Sequence, residues 1–265
     1  MKRFRTVEVS DPQFESSGLR FITVKTPNLK GRGDICVYVP EVEDSSDLPI
    51  VLLLHGVYGS AWCWSQKAGA HLTAERLIKD GTIKPMILVM PSDGLWGDGS
   101  GYLAHNEYNF ENWIVDDVID AVRENIEEAK LSSVTFISGL SMGGYGALRI
   151  GAKYGGVFKA ISAHSAITSL PQMSLFVEEP IEMYVQDESS EEDVFQTIEV
   201  YKKDLPHLRF DCGKKDLLIK HNRTLHEQLL ESNISHEYYE FPGGHEWPYW
   251  QKHLEDSLKY FNQYI

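Results

Sequence analysis

Strand and helix signals alternate along this chain, and they predict an α/β fold with a mostly parallel central sheet, helices on both faces and an N-terminal antiparallel hairpin. Three observations carry that expectation. Residues 50–54 (IVLLL) and 86–90 (MILVM) are five-residue runs without a polar position. Residues 134–138 (VTFIS) and 158–163 share this apolar character on both faces, as strands covered by helices on two sides do. Between the runs lie helical periods: Ile114, Val118, Val122 and Ile126 recur every four residues, and residues 68–79 fill the earlier gap.

Taken in order, residues 19–26 and 34–39 alternate in polarity around the turn-rich Pro27-Asn28-Leu29-Lys30-Gly31-Arg32-Gly33, which reads as the hairpin. The four apolar strands and their helices follow. After Ser165 the alternation stops, and residues 178–199 are dense in Asp and Glu with scattered Tyr184 and Phe195, close behind Phe176. Residues 166–206 therefore read as an insertion or lid on one domain spanning 1–265. Order returns with a strand at 208–212, a helix at 221–231, a strand at 236–241 and a last helix whose Trp250, Leu254, Leu258 and Phe261 form one stripe. No internal repeat or low-complexity linker interrupts the pattern.

Composition narrows the function classes. Twenty-five Lys and Arg against 39 Asp and Glu leave a net charge of −14 over 265 residues, which disfavours nucleic acid and anionic membrane as partners. The longest apolar runs fall far below the ~20 residues a spanning helix needs. The first residues carry positive charge without an apolar stretch behind it, unlike a secretory signal. Cys36, Cys63 and Cys212 are odd in number and form no CxxC, which argues against a disulfide framework or a zinc site and for a reducing, cytoplasmic location.

The sharpest chemical signal is Gly139-Leu140-Ser141-Met142-Gly143, between an apolar strand and a helix through Tyr145, Ala147 and Leu148. A serine on so tight a strand-to-helix turn is strained, and glycines two before and two after remove the side chains that would clash. Its hydroxyl needs a base, and the base needs a carboxylate to fix its tautomer. His245 follows the last strand in Phe241-Pro242-Gly243-Gly244-His245, and Asp216 stands in the loop after the strand before it. Asp211, the rival acid, lies inside that strand and too early. His236 and His253 fall inside secondary structure, and His55, in a His-Gly turn, reads as a structural support for its loop. Backbone amides of Met142 and of Val57, in the loop after residues 50–54, are the expected donors to an oxyanion. No metal or other cofactor is expected.

Tyr58, Trp62, Trp64, Trp96, Tyr102 and Trp247 crowd the expected mouth, with His164 ending a strand on the same face. This cluster fits two roles, an apolar substrate wall or a core beneath long loops; Tyr58, Trp62, Trp96, His164 and Trp247 are the pocket candidates. The glycine-rich stretch 94–101 is too irregular for a phosphate cradle. The acidic insertion likewise fits either an amphipathic lid, with Phe176 and Tyr184 facing the site and a penalty on anionic substrates, or a solvated surface excursion.

Leu54-His55-Gly56, the run GLSMGGYGAL from Gly139 to Leu148, and Pro242-Gly243-Gly244-His245-Glu246-Trp247-Pro248-Tyr249-Trp250 together resemble the Putative esterase family within the α/β hydrolases. That family holds tributyrin-type carboxylesterases, S-formylglutathione hydrolases, feruloyl and acetyl xylan esterases and the antigen 85 mycolyltransferases. The resemblance covers roughly residues 18–262 and is closest to the tributyrin esterase type. It implies the α/β-hydrolase fold, Ser141 as nucleophile, Asp216 as acid, His245 as base, and the amides of Val57 and Met142 as oxyanion donors. The expected activity is hydrolysis of short acyl esters by water, with a glutathione thioesterase, a carbohydrate acetyl or feruloyl esterase, and an inactive hydrolase-fold binding protein as the alternatives. Residues 166–206 match no shared motif, so the resemblance leaves the acyl group and alcohol open.

Overall fold

The computed structural model describes residues 3–43 and 46–265. The elements follow the order β1 (Val7–Val9), β2 (Leu19–Thr26), β3 (Gly31–Tyr38), β4 (Ile50–Leu54), α1 (Cys63–Gln66), α2 (Ala70–Lys79) and β5 (Ile87–Pro91). A two-residue hairpin, β6 (Ala104–His105) with β7 (Tyr108–Asn109), leads to α3 (Phe110–Asn112) and α4 (Ile119–Asn125). The remaining elements are β8 (Thr135–Leu140), α5 (Met142–Lys153), β9 (Phe158–His164), α6 (Val194–Tyr201), β10 (His207–Gly213), α7 (Ile219–Glu231), β11 (Glu237–Phe241) and α8 (Trp247–Asn262).

Nine strands form one sheet in the order β1-β2-β3-β5-β4-β8-β9-β10-β11. From β5 to β11 every neighbouring pair is parallel, and β1, β2 and β3 add an antiparallel edge. The five-residue apolar runs have their cause in this sandwich. Ile50, Leu52 and Leu54 of β4 join the core beneath α4, α5 and α7, whereas Val51 and Leu53 join the opposite core beneath α2 and α8. The expected stripe of α8 is buried along its whole length.

One helix departs from the expectation. Ile114, Val118, Val122 and Ile126 are all buried, but residues 113–118 between α3 and α4 wind as a π-helix. A spacing of four overruns the α-helical repeat of 3.6, and the wider turn keeps these side chains on one face.

Topology fixes where the site lies. Chain order runs β4 to β5 on one side of the sheet and then returns to β8 on the other side of β4, so the loops leaving β4 and β8 part company at their carboxyl ends. In an open α/β sheet that switch point is where ligands bind. Leu54 pairs with Gly139 and Leu140 with His164, which puts His55, Ser141 and the end of β9 side by side.

Residues 166–206 contain short 3-10 turns and α6, and they are tied into the core. Leu170, Met173, Tyr184, Val194 and Ile198 are buried within the same cluster as α4 and α5.

Candidate active site

Ser141 joins β8 to α5 with φ 53° and ψ −118°, a conformation that L side chains seldom adopt. The neighbours make it obligatory. A Cβ on Gly143 would run into the Leu54 and His55 carbonyls, and one on Gly139 into the Gly143 carbonyl. The turn is anchored by Ser141 N–H donating to the His164 carbonyl at 3.0 Å.

Asp216 and His245 arrive from two loops stitched to each other. Lys215 N–H donates to the Gly243 carbonyl at 2.9 Å, and a Cβ on Gly213 would come within 2.6 Å of that same oxygen. Gly243 itself sits at φ 140°, with Tyr249 packed where a side chain would start. His245 Nδ1 lies 3.1 and 3.0 Å from the two Asp216 carboxylate oxygens, and its Nε2 lies 2.9 Å from Ser141 Oγ. Asp216 Oδ1 also accepts the Leu218 N–H at 2.8 Å, which fixes the carboxylate plane. The Asp216 side chain is wholly buried and that of His245 partly exposed. A buried carboxylate holding the proton on Nδ1 turns the Nε2 lone pair toward the serine hydroxyl, the arrangement that proton abstraction requires.

Met142 opens α5, so its N–H belongs to the unsatisfied first turn of a helix. The loop after β4 passes over the same serine, since a Cβ on Gly56 would approach Ser141 Cβ to 3.4 Å and Val57 is the next residue. His55 holds this loop as expected. Its Nδ1–H donates to the Gly56 carbonyl at 2.7 Å while Nε2 accepts the Asp93 N–H at 3.0 Å, and Tyr102 Oη donates to the His55 carbonyl at 3.0 Å.

A cavity of about 220 Å³ opens onto Ser141 and His245. Tyr58, Trp62 and Trp247 line it, together with Phe176, Trp250 and Lys67. Two expected pocket residues lie elsewhere. His164 is sealed in the core between Asp211 at 2.9 Å and Ser257 at 2.8 Å, because a strand-end side chain can point to the helix layer as well as to the mouth. Trp96 packs edge-on against His105 and Tyr184 beneath its own loop. Trp64 and Tyr102 are buried too.

The insertion divides in the same way. Phe176 stacks on His245 at 5.1 Å between ring centroids, and its carbonyl accepts the Tyr58 hydroxyl. Tyr184 is fully buried and donates to the Gly99 carbonyl at 2.9 Å, so it anchors the segment and does not face the site. Several acids are turned inward. Glu191 pairs with Arg149 and Lys153 of α5 at 3.0 Å each, and Glu179 accepts the Asp98 N–H at 3.1 Å.

Asp211 stands apart from His245, in a fully buried network. It meets His164 Nδ1 at 2.9 Å, Arg209 at 2.7 Å and the Tyr249 hydroxyl at 2.7 Å. Burial pushes its carboxyl up, but the contact with His164, the Arg209 charge and the Tyr249 hydrogen bond outweigh that and bring it down to about 2.

Sequence reasoning passed over two cavity residues. Trp250 was visible only as part of the α8 core stripe, and Lys67 lay in an unremarkable stretch before α2.

The family model described as Putative esterase matches residues 26–261. The chain belongs to that esterase family. An acetyl esterase of Caldicellulosiruptor saccharolyticus is 26% identical over 263 residues, covering 92% of each protein. A ferulic acid esterase superposes with a TM-score of 0.80 at 21% identity, over 98% of this chain and 100% of the other. An S-formylglutathione hydrolase from Agrobacterium tumefaciens gives 0.80 at 19% identity over 99% of both chains. The α/β-hydrolase fold follows from the solved structures, and the assignment as an esterase from the family model and the acetyl esterase relative. Among the described residues, no helix of the esterase is long and apolar enough to cross a membrane.

Proposed function

We propose that this esterase is a serine carboxylesterase for short acyl esters, with Ser141 as nucleophile, His245 as base and Asp216 as acid. The observation that carries the reading is the continuous hydrogen-bonded series from Asp216 through His245 to Ser141 Oγ. Ser141 Oγ attacks the ester carbonyl as His245 Nε2 takes its proton, and Asp216 stabilises the imidazolium that forms. The Val57 and Met142 amides receive the negative charge of the tetrahedral oxygen. His245 then returns the proton to the departing alcohol, and water admitted by the same base releases the acid from Ser141.

The size of the cavity supports a short ester as substrate. About 220 Å³ lies below the roughly 300–1,000 Å³ of pockets that hold drug-sized ligands. The domain is read as single, with residues 166–206 forming a fixed wall of the site, since part-buried ion pairs of Glu191 clamp it to α5. Cys36, Cys63 and Cys212 are buried free thiols, which supports a reducing, cytoplasmic setting.

An organophosphate labels Ser141 stoichiometrically in this reading, and Ser141→Ala abolishes labelling and turnover with the fold retained. Labelling of another serine with loss of activity overturns it. Comparing kcat/KM across short esters, thioesters and acetylated or feruloylated sugars then separates the carboxylesterase from its thioesterase and carbohydrate-esterase alternatives.

A further inference from the structure

The active-site cavity is lined by aromatic and small residues, and beside His245 it has one ionisable basic side chain, Lys67. Lys67 follows α1 at the rim, exposed, with its Nζ 5.2 Å from the Trp247 ring centroid. The face of an aromatic ring attracts a cation and so restrains where the ammonium sits. Among the described residues no carboxylate forms an ion pair with it.

Three acids lie by another lining residue, Tyr58. Asp98, Glu178 and Glu179 surround Tyr58, where burial and these three carboxylates together push the phenol pKa up. Their carboxylates are partly occupied, since Asp98 accepts the Glu178 N–H at 2.8 Å and Glu179 the Asp98 N–H at 3.1 Å. Among the described residues the ammonium is therefore the one cation held by geometry at this cavity, 5.2 Å from the Trp247 ring centroid, while the nearby acids act on Tyr58.

Catalysis gives the two halves of a substrate different positions. The acyl group stays on Ser141 through the covalent intermediate, whereas the leaving group departs through the mouth to solvent. We propose that Lys67 is a specificity-determining residue that selects esters whose leaving group carries a carboxylate, held against the ammonium beside Trp247. This rests on the serine carboxylesterase reading above and narrows it. It also reverses the expectation, drawn from the acidic insertion, that anionic substrates are penalised.

The test compares 4-acetoxybenzoate with its neutral methyl ester, at low ionic strength, in the wild type, Lys67→Gln and Lys67→Glu. The readout is the ratio of kcat/KM for the anionic ester over the neutral one, so that the neutral ester normalises any change elsewhere in the site. At an exposed rim the lost attraction lowers the ratio by about three- to tenfold in Lys67→Gln, and further in Lys67→Glu. The difference from wild type shrinks between roughly 10 and 500 mM salt as screening shortens. A ratio unchanged within about twofold in both variants, with the methyl ester still turned over, overturns this proposal alone. An equal change on a matched pair bearing the carboxylate on the acyl side, a 4-nitrophenyl hydrogen succinate and 4-nitrophenyl butyrate, also overturns it, because a general field would then explain the effect. Failure of the wild type on the methyl ester overturns the esterase reading and this proposal with it.

Discussion

Replacing Asp216 by Asn changes one oxygen for an NH2 group at the point where the proposed base is oriented. Asp216 Oδ1 accepts the Leu218 N–H at 2.8 Å, so the amide oxygen of Asn keeps that position and its nitrogen replaces Oδ2. That nitrogen then stands 3.0 Å from His245 Nδ1 and donates toward it, in competition with the amide oxygen 3.1 Å away. In the fraction where the amide nitrogen prevails, Nδ1 becomes an acceptor, the proton moves to Nε2, and Nε2–H faces Ser141 without a lone pair to take the hydroxyl proton. The opposite orientation leaves the buried Leu218 N–H against a donor, which costs about 1–3 kcal/mol. The imidazolium of the transition state also loses its counter-charge. With charge centres about 4 Å apart and an effective dielectric near 20, that attraction is about 4 kcal/mol, or about 10³ in rate. Asp216→Asn is therefore expected to lower kcat by about 10³–10⁴, close to what the same change does in other serine triads. Steady-state hydrolysis of 4-nitrophenyl acetate measures this, with thermal unfolding recorded on the same sample. A kcat within tenfold of wild type in a folded variant refutes the assignment of Asp216, and a greater loss from Asp211→Asn moves the acid to Asp211.

Asp211→Asn leaves Arg209 buried without its carboxylate, and it is expected to destabilise by about 3–5 kcal/mol while changing kcat less than tenfold at temperatures where the variant is folded. The Asp211 carboxyl, held at about 2 in the folded chain, lies below its unfolded value of about 3.9. Its contribution to stability is complete above about pH 4 and lost as pH falls toward 2, so acid unfolding followed by circular dichroism is expected to show a shallower pH dependence in the variant. Phe176→Ala opens the cavity wall over His245 and is expected to alter the acyl-chain profile more than the melting temperature, whereas Tyr184→Ala removes a buried ring and its Gly99 hydrogen bond and costs about 3–5 kcal/mol with the profile retained. Equal effects of the two substitutions on the profile, compared with 4-nitrophenyl esters of graded length, contradict that division.

The central strands and the turn of the candidate site were legible in the sequence for one physical reason, namely that both depend on local chain geometry. A five-residue apolar run must be covered on both faces, and β4, β5, β8 and β9 are. A Gly-x-Ser-x-Gly between strand and helix admits only the tight turn that Ser141 adopts, and chain order alone placed Asp216 and His245 in successive loops. What the sequence left open depends on which way a side chain points once distant segments pack. Residue type made His164 and Trp96 equal candidates to Trp62 and Trp247, and only the crossing of β9 under α8 and the folding of the 94–101 loop on Tyr184 turned the first two away. The acidic insertion shows the same limit. Composition recorded its charge, but the tertiary structure spent Glu191 on Arg149 and Lys153, set Phe176 against His245 and buried Tyr184. Lys67 had no signal at all, since its meaning lies in its distance from Trp247, 180 residues away in the chain and 5.2 Å away in space.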